Sequence, residues 1–315
     1  RTRAENMIQL YARFSEELLS IPVVVGVKSP SERFAGADET FTIEAQMQNG
    51  WALQVGTSHF LGQNFAKAFD VTYQASSGEL ELVWASSWGV STRMMGALIM
   101  SHSDDTGLVL PPAVAPIQVV IVCMWKKEDE KALVEDLVSQ ARSRLQSRSV
   151  RVHVDDRVDI RPGAKYFEYE RKGVPLRMEI GPRDAAKGSA FCARRIGGPK
   201  FSIPIDEGFE DRVLSELDSI QTNLLEAART RLHNRTVVVG TYGEMKNAIE
   251  QGTTSSLNFY LAPWKCDSRN EEFIKEDCKA TIRCYPLDEQ HRAEGQKCFY
   301  SGQDADRMAL FARAY

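Results

Sequence analysis

The sequence predicts an α+β domain built on antiparallel strands, then a smaller α/β domain, then a last α+β unit. Short runs of alternating apolar residues in the first third favour antiparallel strands. The run Ile117–Val122 is apolar except for Gln118 and is followed by a charged helical pattern, which is typical of a strand covered on both faces. A chain of 315 residues is long enough for two or three domains. We expect domain boundaries at 1–111, 112–205 and 206–315.

The first part alternates strand and helix patterns. A helical pattern over 3–20 ends before Pro22. At Thr40–Gln48 every second residue is apolar, which predicts a strand with one buried face and one face in water. Further strands are predicted at Val23–Val25, Trp51–Ser58 and Leu80–Trp84, and helices at Leu61–Phe69 and Met94–Met100.

The second part alternates strands and helices, as parallel α/β domains do. Its helix at Lys126–Arg148 is expected to bury Leu133, Leu137, Ala141 and Leu145. The further elements predicted here are strands at Val150–Val154, Val174–Ile180 and Ser189–Ile196 and a helix from Arg161. In the last part we predict the helix Phe209–Leu232, strands at Thr236–Val239, Ser256–Leu261 and Thr281–Tyr285, and two strands around Ser301-Gly302.

Composition excludes several classes of protein. Hydrophobic residues make up 43%, charged residues 26% and aromatic residues 9%, so collagen-like and disordered chains are excluded. No apolar run approaches the roughly 20 residues of a membrane span, and the first residues do not lead into a signal core. Six cysteines are too few for a disulfide scaffold. We therefore expect a reduced, cytoplasmic protein with no membrane partner.

Charge is unevenly distributed along the chain. The 39 Lys+Arg and 43 Asp+Glu give a net charge of −4, which argues against a DNA-coating protein and against DNA as a partner. Residues 151–200 instead hold 12 basic and 7 acidic side chains, which indicates a local change of partner. Because the chain begins with Arg1 inside a helical pattern, we also expect an N-terminally truncated piece of a longer protein.

A strand end rich in small and polar residues, QVGTSH at 54–59, is the first candidate site. One interpretation is a strand–loop–helix junction whose hydroxyls cap the next helix. The other is a pocket wall, in which Gln54 donates to a ligand and His59 stands at the strand end. Neither core packing nor turn chemistry requires these residue types.

A turn into a helix forms the second candidate site. Gly89 allows close backbone approach, and a helix starting at Ser91 offers free N–H groups to an anion. Arg93 lies in the first helical turn, where the helix dipole disfavours a cation, and a triphosphate would explain its presence. The alternative is a surface arginine paired with Asp104 or Asp105.

Three stretches carry a resemblance to a known family: GTSHFLGQNFAKAFD at 56–70, SSWGVSTRMMGALIMSHSDDTGLVLPP at 86–112 and VAPIQVVIV at 114–122. They resemble the prolyl-tRNA synthetase family of class II aminoacyl-tRNA synthetases, in its archaeal/eukaryote-like branch. FAGAD at 34–38 and the terminal FARAY extend the likeness. It implies a class II antiparallel-sheet catalytic portion, an α/β anticodon-binding domain and a small α+β C-terminal domain.

The resemblance also implies an activity and its site residues. The family attaches L-proline to tRNA(Pro) through prolyl-adenylate, with ATP and Mg²⁺, as a homodimer. Arg93 is expected to be catalytic, as the grip on the γ-phosphate of ATP. The other residues carried over are Gln54, Thr57 and Ser91 for ATP and His59, Trp88 and Gly89 for proline. Motifs 1 and 2 of class II enzymes have no counterpart in this chain, so we expect it to form prolyl-adenylate poorly by itself.

The basic block contains VPLRMEIGPRD at 174–184, which resembles the signature stretch of the anticodon-binding domain. Arg177 and Glu179 are two residues apart on a predicted strand and so share a face. They, Arg183 and Lys200 are the expected anticodon contacts, because single-stranded bases are open to such side chains. The alternative is a solvated face with internal ion pairs.

The C-terminal part contains Cys266, Cys278, Cys284 and Cys298 without a CxxC or CxC pair. We therefore expect no metal site and consider zinc unlikely; reduced core cysteines are the alternative to zinc. Tyr315 is expected to reach back toward the active site, as the resemblance implies. Two alternatives to a proline enzyme stay open: a catalytically inactive tRNA-binding or regulatory paralogue, and a threonyl or glycyl enzyme of the same subclass.

Overall fold

The computed structural model describes residues 1–252 and 257–315. These residues form two compact units. The first unit comprises 1–17, 21–101 and 228–315, and the second comprises 18–20 and 102–227. The first unit therefore combines residues from the two ends of the chain.

The first unit takes its elements from two stretches of sequence. Those of the first stretch are α1 (Thr2–Glu17), β1 (Val23–Val27), β2 (Glu39–Gln46), β3 (Ala52–Gly62), α2 (Asn64–Phe69), β4 (Thr72–Gln74), β5 (Leu80–Leu82), β6 (Ala85–Gly89) and α3 (Arg93–His102). Helix α2 begins later than predicted because β3 continues through Gly62, where a bulge keeps it paired with β6.

The second unit holds β7 (Val119–Cys123), α4 (Glu128–Ser147), β8 (Val152–Asp155), α5 (Pro162–Arg171), β9 (Leu176–Ile180), α6 (Pro182–Lys187), β10 (Ser189–Arg194), β11 (Phe201–Pro204) and most of α7 (Phe209–Asn234).

The second stretch of the first unit follows α7. Its elements are β12 (Thr236–Val238), α8 (Tyr242–Gln251), β13 (Phe259–Trp264), α9 (Ser268–Cys278), β14 (Thr281–Pro286), a 3-10 helix (Leu287–Ala293) and β15 (Arg307–Ala312).

An eight-stranded sheet with the order β12-β13-β15-β14-β1-β2-β3-β6 organises the first unit. Among the strands of the described residues, β12 and β13 pair in parallel and the other neighbours in this sheet are antiparallel. The two stretches of sequence meet where β1 pairs with β14, at Gly26↔Pro286 and Val27↔Tyr285. Glycine is required at this junction because a Cβ on Gly26 would lie 2.5 Å from Cys284 Sγ. Strands predicted for separate domains thus share one sheet, and the boundaries at 111 and 205 stay predictions.

Strand β2 departs from its predicted pattern. Seven of its eight residues are buried, so the expected face in water is wrong. Glu44 is the reason: Lys28 Nζ lies 2.8 Å from one of its carboxylate oxygens, and Arg283 from β14 donates to the other at 2.9 and 3.0 Å. Charged side chains can be buried in this way when they are paired.

The second unit contains a five-stranded sheet with the order β11-β10-β9-β7-β8, in which β8, β7 and β9 are parallel. Helices α4 and α7 pack on it through an apolar cluster that includes Val134, Val138 and Val213. Leu133 is 49% exposed, so its predicted burial is wrong. The buried face of α4 instead includes Val134, the residue after Leu133. The helix begins at Glu128, and in this orientation Val134 faces the sheet while Leu133 does not.

Two strand predictions in the last part of the chain need comment. One differs from the structure, and the other begins outside the described residues. The chain around Ser301-Gly302 forms an isolated bridge, Lys297↔Asp304, and the strand that follows is β15. The predicted Ser256–Leu261 strand begins at Ser256, outside the described residues, and β13 starts at Phe259. Within the described ranges, none of the helices combines the length and apolar character needed to cross a membrane.

Candidate functional site

The first candidate site lies where β3 and β6 run side by side. The register pairs Thr57 with Gly89, Ser58 with Trp88 and His59 with Ser87. The two sequence stretches that were singled out separately are therefore neighbours in one sheet. We call Gln54, Thr57, Trp88, Gly89, Ser91 and Arg93 together the strand–helix surface.

Arg93 connects the two parts of this surface. It is the first residue of α3, is exposed, and donates from Nη1 to the backbone oxygen of Gln54 at 3.3 Å. Ser91 Oγ accepts from the backbone N–H of Arg93 at 3.3 Å, which orders the turn before the helix. In the described part of the chain no carboxylate forms an ion pair with Arg93, so most of its donors are available to an anion.

The alternative that pairs Arg93 with Asp104 is wrong. Arg195 holds the Asp104 carboxylate through two bonds, of 2.6 and 2.8 Å. Thr106 also donates to this carboxylate. The bonds from Arg195, followed by those from Thr106, hold the pKa of Asp104 well below its usual range.

Gly89 and Trp88 leave the outer side of β6 open. A Cβ built on Gly89 would meet no described heavy atom within 4 Å, so a ligand can approach the backbone there. Trp88 is 40% exposed, so part of its indole ring faces solvent. Gln54 and Thr57 on β3 are half-buried. The surface thus offers partly covered polar groups beside an exposed cation.

His59 contacts a threonine hydroxyl and an aromatic ring. Its Nδ1 lies 2.9 Å from Thr40 Oγ1, and its ring lies 4.8 Å from the Phe34 ring, centroid to centroid. Burial lowers the pKa of His59 below its ordinary value. The loop 30–38, which carries Phe34, lines a cavity of about 460 Å³.

The second candidate site lies on β9 and α5, in the other unit. Arg177 donates to Glu170 at 2.9 Å and to Glu179 at 3.3 Å, and its guanidinium lies 4.0 Å from the Tyr166 ring centroid. Tyr166 donates to Glu179 at 2.8 Å, and Lys200 Nζ is 3.5 Å from the same carboxylate. We call these five residues the Tyr166 cluster. Burial, then this bond to Glu179, raises the pKa of Tyr166 above its ordinary value.

The structure separates the four expected anticodon residues. Arg177 and Glu179 are each 7% exposed, and Lys200 stands half-exposed at the edge of their cluster. Arg183 is instead exposed on α6 and lines a cavity of about 540 Å³ together with Trp125, Lys126, Lys165 and Asp184. The alternative of a solvated charged face fits Arg183 but not Arg177 or Glu179, since those two are buried with their partners.

Comparisons with known proteins find similar sequences along almost the whole chain. Residues 118–214 match the anticodon-binding domain, and residues 242–315 match the prolyl-tRNA synthetase C-terminal domain. The proline–tRNA ligase of Chloroherpeton thalassium is 49% identical over 315 residues, which cover 98% of this chain and 64% of that protein. The chain is therefore similar to proline–tRNA ligases over almost its whole length.

Two further proteins show the same similarity. The proline–tRNA ligase of Porphyromonas gingivalis is 48% identical over 99% of this chain and 62% of its own length. The crystal structure of prolyl-tRNA synthetase from Cryptosporidium parvum, complexed with L-proline and AMP, matches with a TM-score of 0.91 and 36% identity. It is matched over 100% of this chain and 66% of that one.

The matches cover only part of each relative. The chain spans 62–64% of the length of the two curated relatives named above. Both of these relatives are bacterial, so they do not support the predicted archaeal/eukaryote-like branch. The anticodon-binding and C-terminal domains of the fold prediction are confirmed.

The four cysteines of the C-terminal part have separate surroundings. Cys278 Sγ donates to Ile274 O, Cys298 Sγ accepts from the Ser301 N–H, and Cys266 Sγ lies 3.7 Å from the Tyr285 hydroxyl. Cys284 is fully buried. Over 1–252 and 257–315 no group of three or more His, Cys, Asp or Glu side chains is placed to hold a metal ion. These four cysteines therefore do not fit a structural zinc site.

The C-terminal residue approaches the start of β3. The Tyr315 ring lies 5.0 Å from the Trp51 ring, its hydroxyl accepts from Asn49 at 2.7 Å, and its N–H donates to Ala52 O. Ala52 is two residues from Gln54 on the same strand. Its expected role beside the active site stays a prediction.

Sequence reasoning missed several residues at both sites. Thr40 and Phe34 support His59, and Tyr166 and Glu170 hold Arg177. Tyr166 could have been found, since an aromatic residue four positions before an acidic one on the predicted helix from Arg161 faces the same way. Thr40 could not, because its contact depends on strand register.

Proposed function

We propose that the chain works as part of an enzyme that joins L-proline to tRNA(Pro) with ATP, through prolyl-adenylate. The observation that carries this proposal is the strand–helix surface, where Arg93 is exposed beside Gln54 and pairs with no carboxylate of the described residues. Relatives named proline–tRNA ligase support it at 48–49% identity. In this proposal β1, β2, β3 and β6 belong to a class II antiparallel catalytic portion, and the whole enzyme is a homodimer.

Arg93 is the proposed contact to the γ-phosphate of ATP. A guanidinium presents several donors in a planar fork that matches phosphate oxygens. Ser91, Gln54 and Thr57 are the other proposed nucleotide contacts, and all three lie on the same surface as Arg93. When bound with ATP, Mg²⁺ would neutralise part of the phosphate charge.

His59, Trp88 and Gly89 are the proposed proline contacts. Trp88 supplies an apolar surface for the pyrrolidine ring, and Gly89 leaves room beside it. The proline carboxylate attacks the α-phosphorus and pyrophosphate leaves, so no side chain has to remove a proton. Catalysis then depends on positioning and on neutralisation of charge.

The Tyr166 cluster, with Arg183, is the proposed anticodon-reading surface. A carboxylate such as Glu179 can accept from the guanine edge, and an arginine such as Arg177 can donate to acceptors on a base. Because both are already paired, an anticodon base must exchange bonds with the cluster rather than fill free positions. Lys200 and Arg183 are exposed enough to contact phosphates as well.

Proline-dependent ATP–pyrophosphate exchange tests the proposal. The full gene product is expected to exchange, and the 315-residue chain alone is expected to exchange little, because the family's motif 2 arginine has no counterpart in it. Absence of exchange by the full gene product, with ATP and Mg²⁺ present, would contradict the function. Robust exchange by the chain alone would contradict the idea that it holds only part of the site.

A second candidate function is tRNA binding without catalysis. The match of residues 118–214 to the anticodon-binding domain favours it independently of the strand–helix surface. Binding of tRNA(Pro) by a gene product that shows no exchange with proline, threonine or glycine would favour this candidate over an enzyme.

A further inference from the structure

Thr40 lies directly opposite His59 in the β2–β3 ladder. The side chain of Thr40 is 2% exposed, so its hydroxyl has no access to bulk water. Its Oγ1 lies 2.9 Å from His59 Nδ1 and accepts from the Phe34 backbone N–H at 3.2 Å. One buried hydroxyl therefore joins the strand, the loop 30–38 and the histidine ring.

The hydrogen-bonding capacity of this hydroxyl decides the histidine tautomer. A threonine hydroxyl has one proton to donate, and leaving that proton buried without an acceptor is costly. Among the described residues, His59 Nδ1 is the acceptor in reach of it. The O–H therefore donates to the Nδ1 lone pair, and a neutral His59 ring must carry its own proton on Nε2.

Two further contacts hold the ring in this arrangement. The Phe34 ring lies against it at an interplanar angle of 36°, and Phe65 stacks behind Phe34 at 6.3 Å. Burial lowers the pKa of His59, which keeps the ring neutral at neutral pH. Nε2 has no partner in the described part of the chain, so its N–H remains available to a ligand.

We propose that Thr40 is a positioning residue that fixes His59 as a donor, so that His59 binds a carboxyl oxygen of the bound amino acid and not its amine. The amine of bound proline is a donor and needs a lone pair, which the Nε2–H tautomer does not offer. A carboxyl oxygen is an acceptor and fits. This inference rests on the proposed function, because only that function places His59 in the proline pocket.

The tautomer can be measured without any activity. In the ¹⁵N-labelled 315-residue chain, long-range ¹H–¹⁵N spectra of the five histidines are recorded at pH 7.5, and His59 is identified by its absence in His59→Gln. We expect a pyrrole-type Nε2 and a pyridine-type Nδ1. The reverse pattern, or an average of the two, would overturn the proposal. This result stands whether or not the proposed function holds.

Two variants test the positioning role. Thr40→Val keeps the branched shape but removes the hydroxyl, and Thr40→Ser keeps the hydroxyl. In Thr40→Val the His59 nitrogens are expected to move toward averaged shifts, and in Thr40→Ser to stay as in the unaltered chain. If Thr40→Val does not fold, the spectra of the unaltered chain and of Thr40→Ser still show which tautomer His59 adopts.

Kinetics of the full gene product separate the carboxyl group from the amine. Thr40→Val is expected to raise KM for L-proline about three- to tenfold, the loss of roughly one hydrogen bond, with kcat little changed. Inhibition by pyrrolidine, which has the amine but no carboxyl group, should not change. An equal loss for both compounds, or none for proline, would overturn the inference. Failure of the unaltered gene product to use proline would instead contradict the proposed function.

Discussion

The two candidate sites handle charge in opposite ways. At the strand–helix surface, the Arg93 side chain is exposed and donates to a backbone oxygen, and it pairs with no carboxylate of the described residues. In the Tyr166 cluster, Arg177 is instead buried between two carboxylates and an aromatic ring. An unpaired exposed cation costs the fold little and is ready for an anionic ligand. A buried paired cation is part of the fold, so a ligand that uses it must compete with protein partners. A substitution at the first site should therefore lower activity without lowering stability. A substitution in the Tyr166 cluster should lower both.

The largest expected effect is on the stability of the second unit. Arg177→Leu leaves Glu179 buried with only Tyr166 and Lys200, and should lower the free energy of unfolding by roughly 3 kcal/mol, near the low end for removing one partner of a buried ion pair. Urea denaturation measures it. Arg142→Leu is the matched control, because Arg142 is exposed on α4 of the same unit. Equal stability of the two variants would contradict the contrast drawn between the sites.

Arg93 should show the opposite behaviour. Arg93→Ala is expected to lower proline-dependent ATP–pyrophosphate exchange of the full gene product about a hundredfold, as removal of a preorganised donor does. Its free energy of unfolding should change by less than about 0.5 kcal/mol. Arg93→Lys should recover part of the activity, since a point charge replaces a planar fork. Arg13→Ala, at another exposed arginine, is the control. A loss of stability that matches the loss of exchange would remove the distinction.

Tyr166→Phe tests the interior of the cluster more gently. It removes the hydroxyl that donates to Glu179 at 2.8 Å and should cost about 1.5 kcal/mol, because the acceptor is charged and buried. Chemical denaturation is the measurement, with Tyr300→Phe as control. The Tyr300 hydroxyl makes no hydrogen bond within the described ranges. An unchanged unfolding midpoint would mean that water replaces the tyrosine hydroxyl.

Substitutions of Arg183 and Lys200 should affect binding more than stability, as expected for Arg93, although both residues lie in the second unit. Arg183→Ala and Lys200→Ala should weaken tRNA(Pro) binding a few-fold and reduce the salt dependence by about one phosphate contact each. Their stability should stay within about 0.5 kcal/mol of the unaltered protein. Filter binding at several salt concentrations, with Arg142→Ala as control, tests this. An unchanged salt slope would remove the residue concerned from the tRNA surface.

The smallest expected effect concerns His59. Burial lowers its pKa in the folded state, so protonation opposes folding. As the pH falls through the ordinary histidine value of about 6.5, the unfolded chain binds a proton that the folded chain resists, and the free energy of unfolding declines. In His59→Gln this part of the decline should disappear between pH 7.5 and 5.5. The same pH dependence in both proteins would show that His59 is well solvated.

Sequence patterns predict most of the elements, and they also single out the candidate residues of the first site, whose roles stay predictions. Local periodicity marks α1, β2, α4 and β7, because burial of alternate or every third and fourth residue leaves a direct trace in the chain. QVGTSH and the stretch ending at Arg93 were recognisable as candidates, since polar and small residues stood where packing did not require them. Nothing local, however, fixed that Thr57 would lie opposite Gly89.

Features that depend on pairing between distant residues become visible in the folded chain alone. Strand β2 has an alternating pattern typical of one wet face, yet Glu44 is buried because Arg283, 239 residues away in sequence, reaches it from β14. Arg177 and Arg183 have the same charge and lie six residues apart. Arg177 is nevertheless buried against the Tyr166 ring, whereas Arg183 is exposed. The sequence specifies which side chains carry charge, but their partners and their burial depend on the pairing of strands and the packing of helices, which bring together residues that are far apart along the chain.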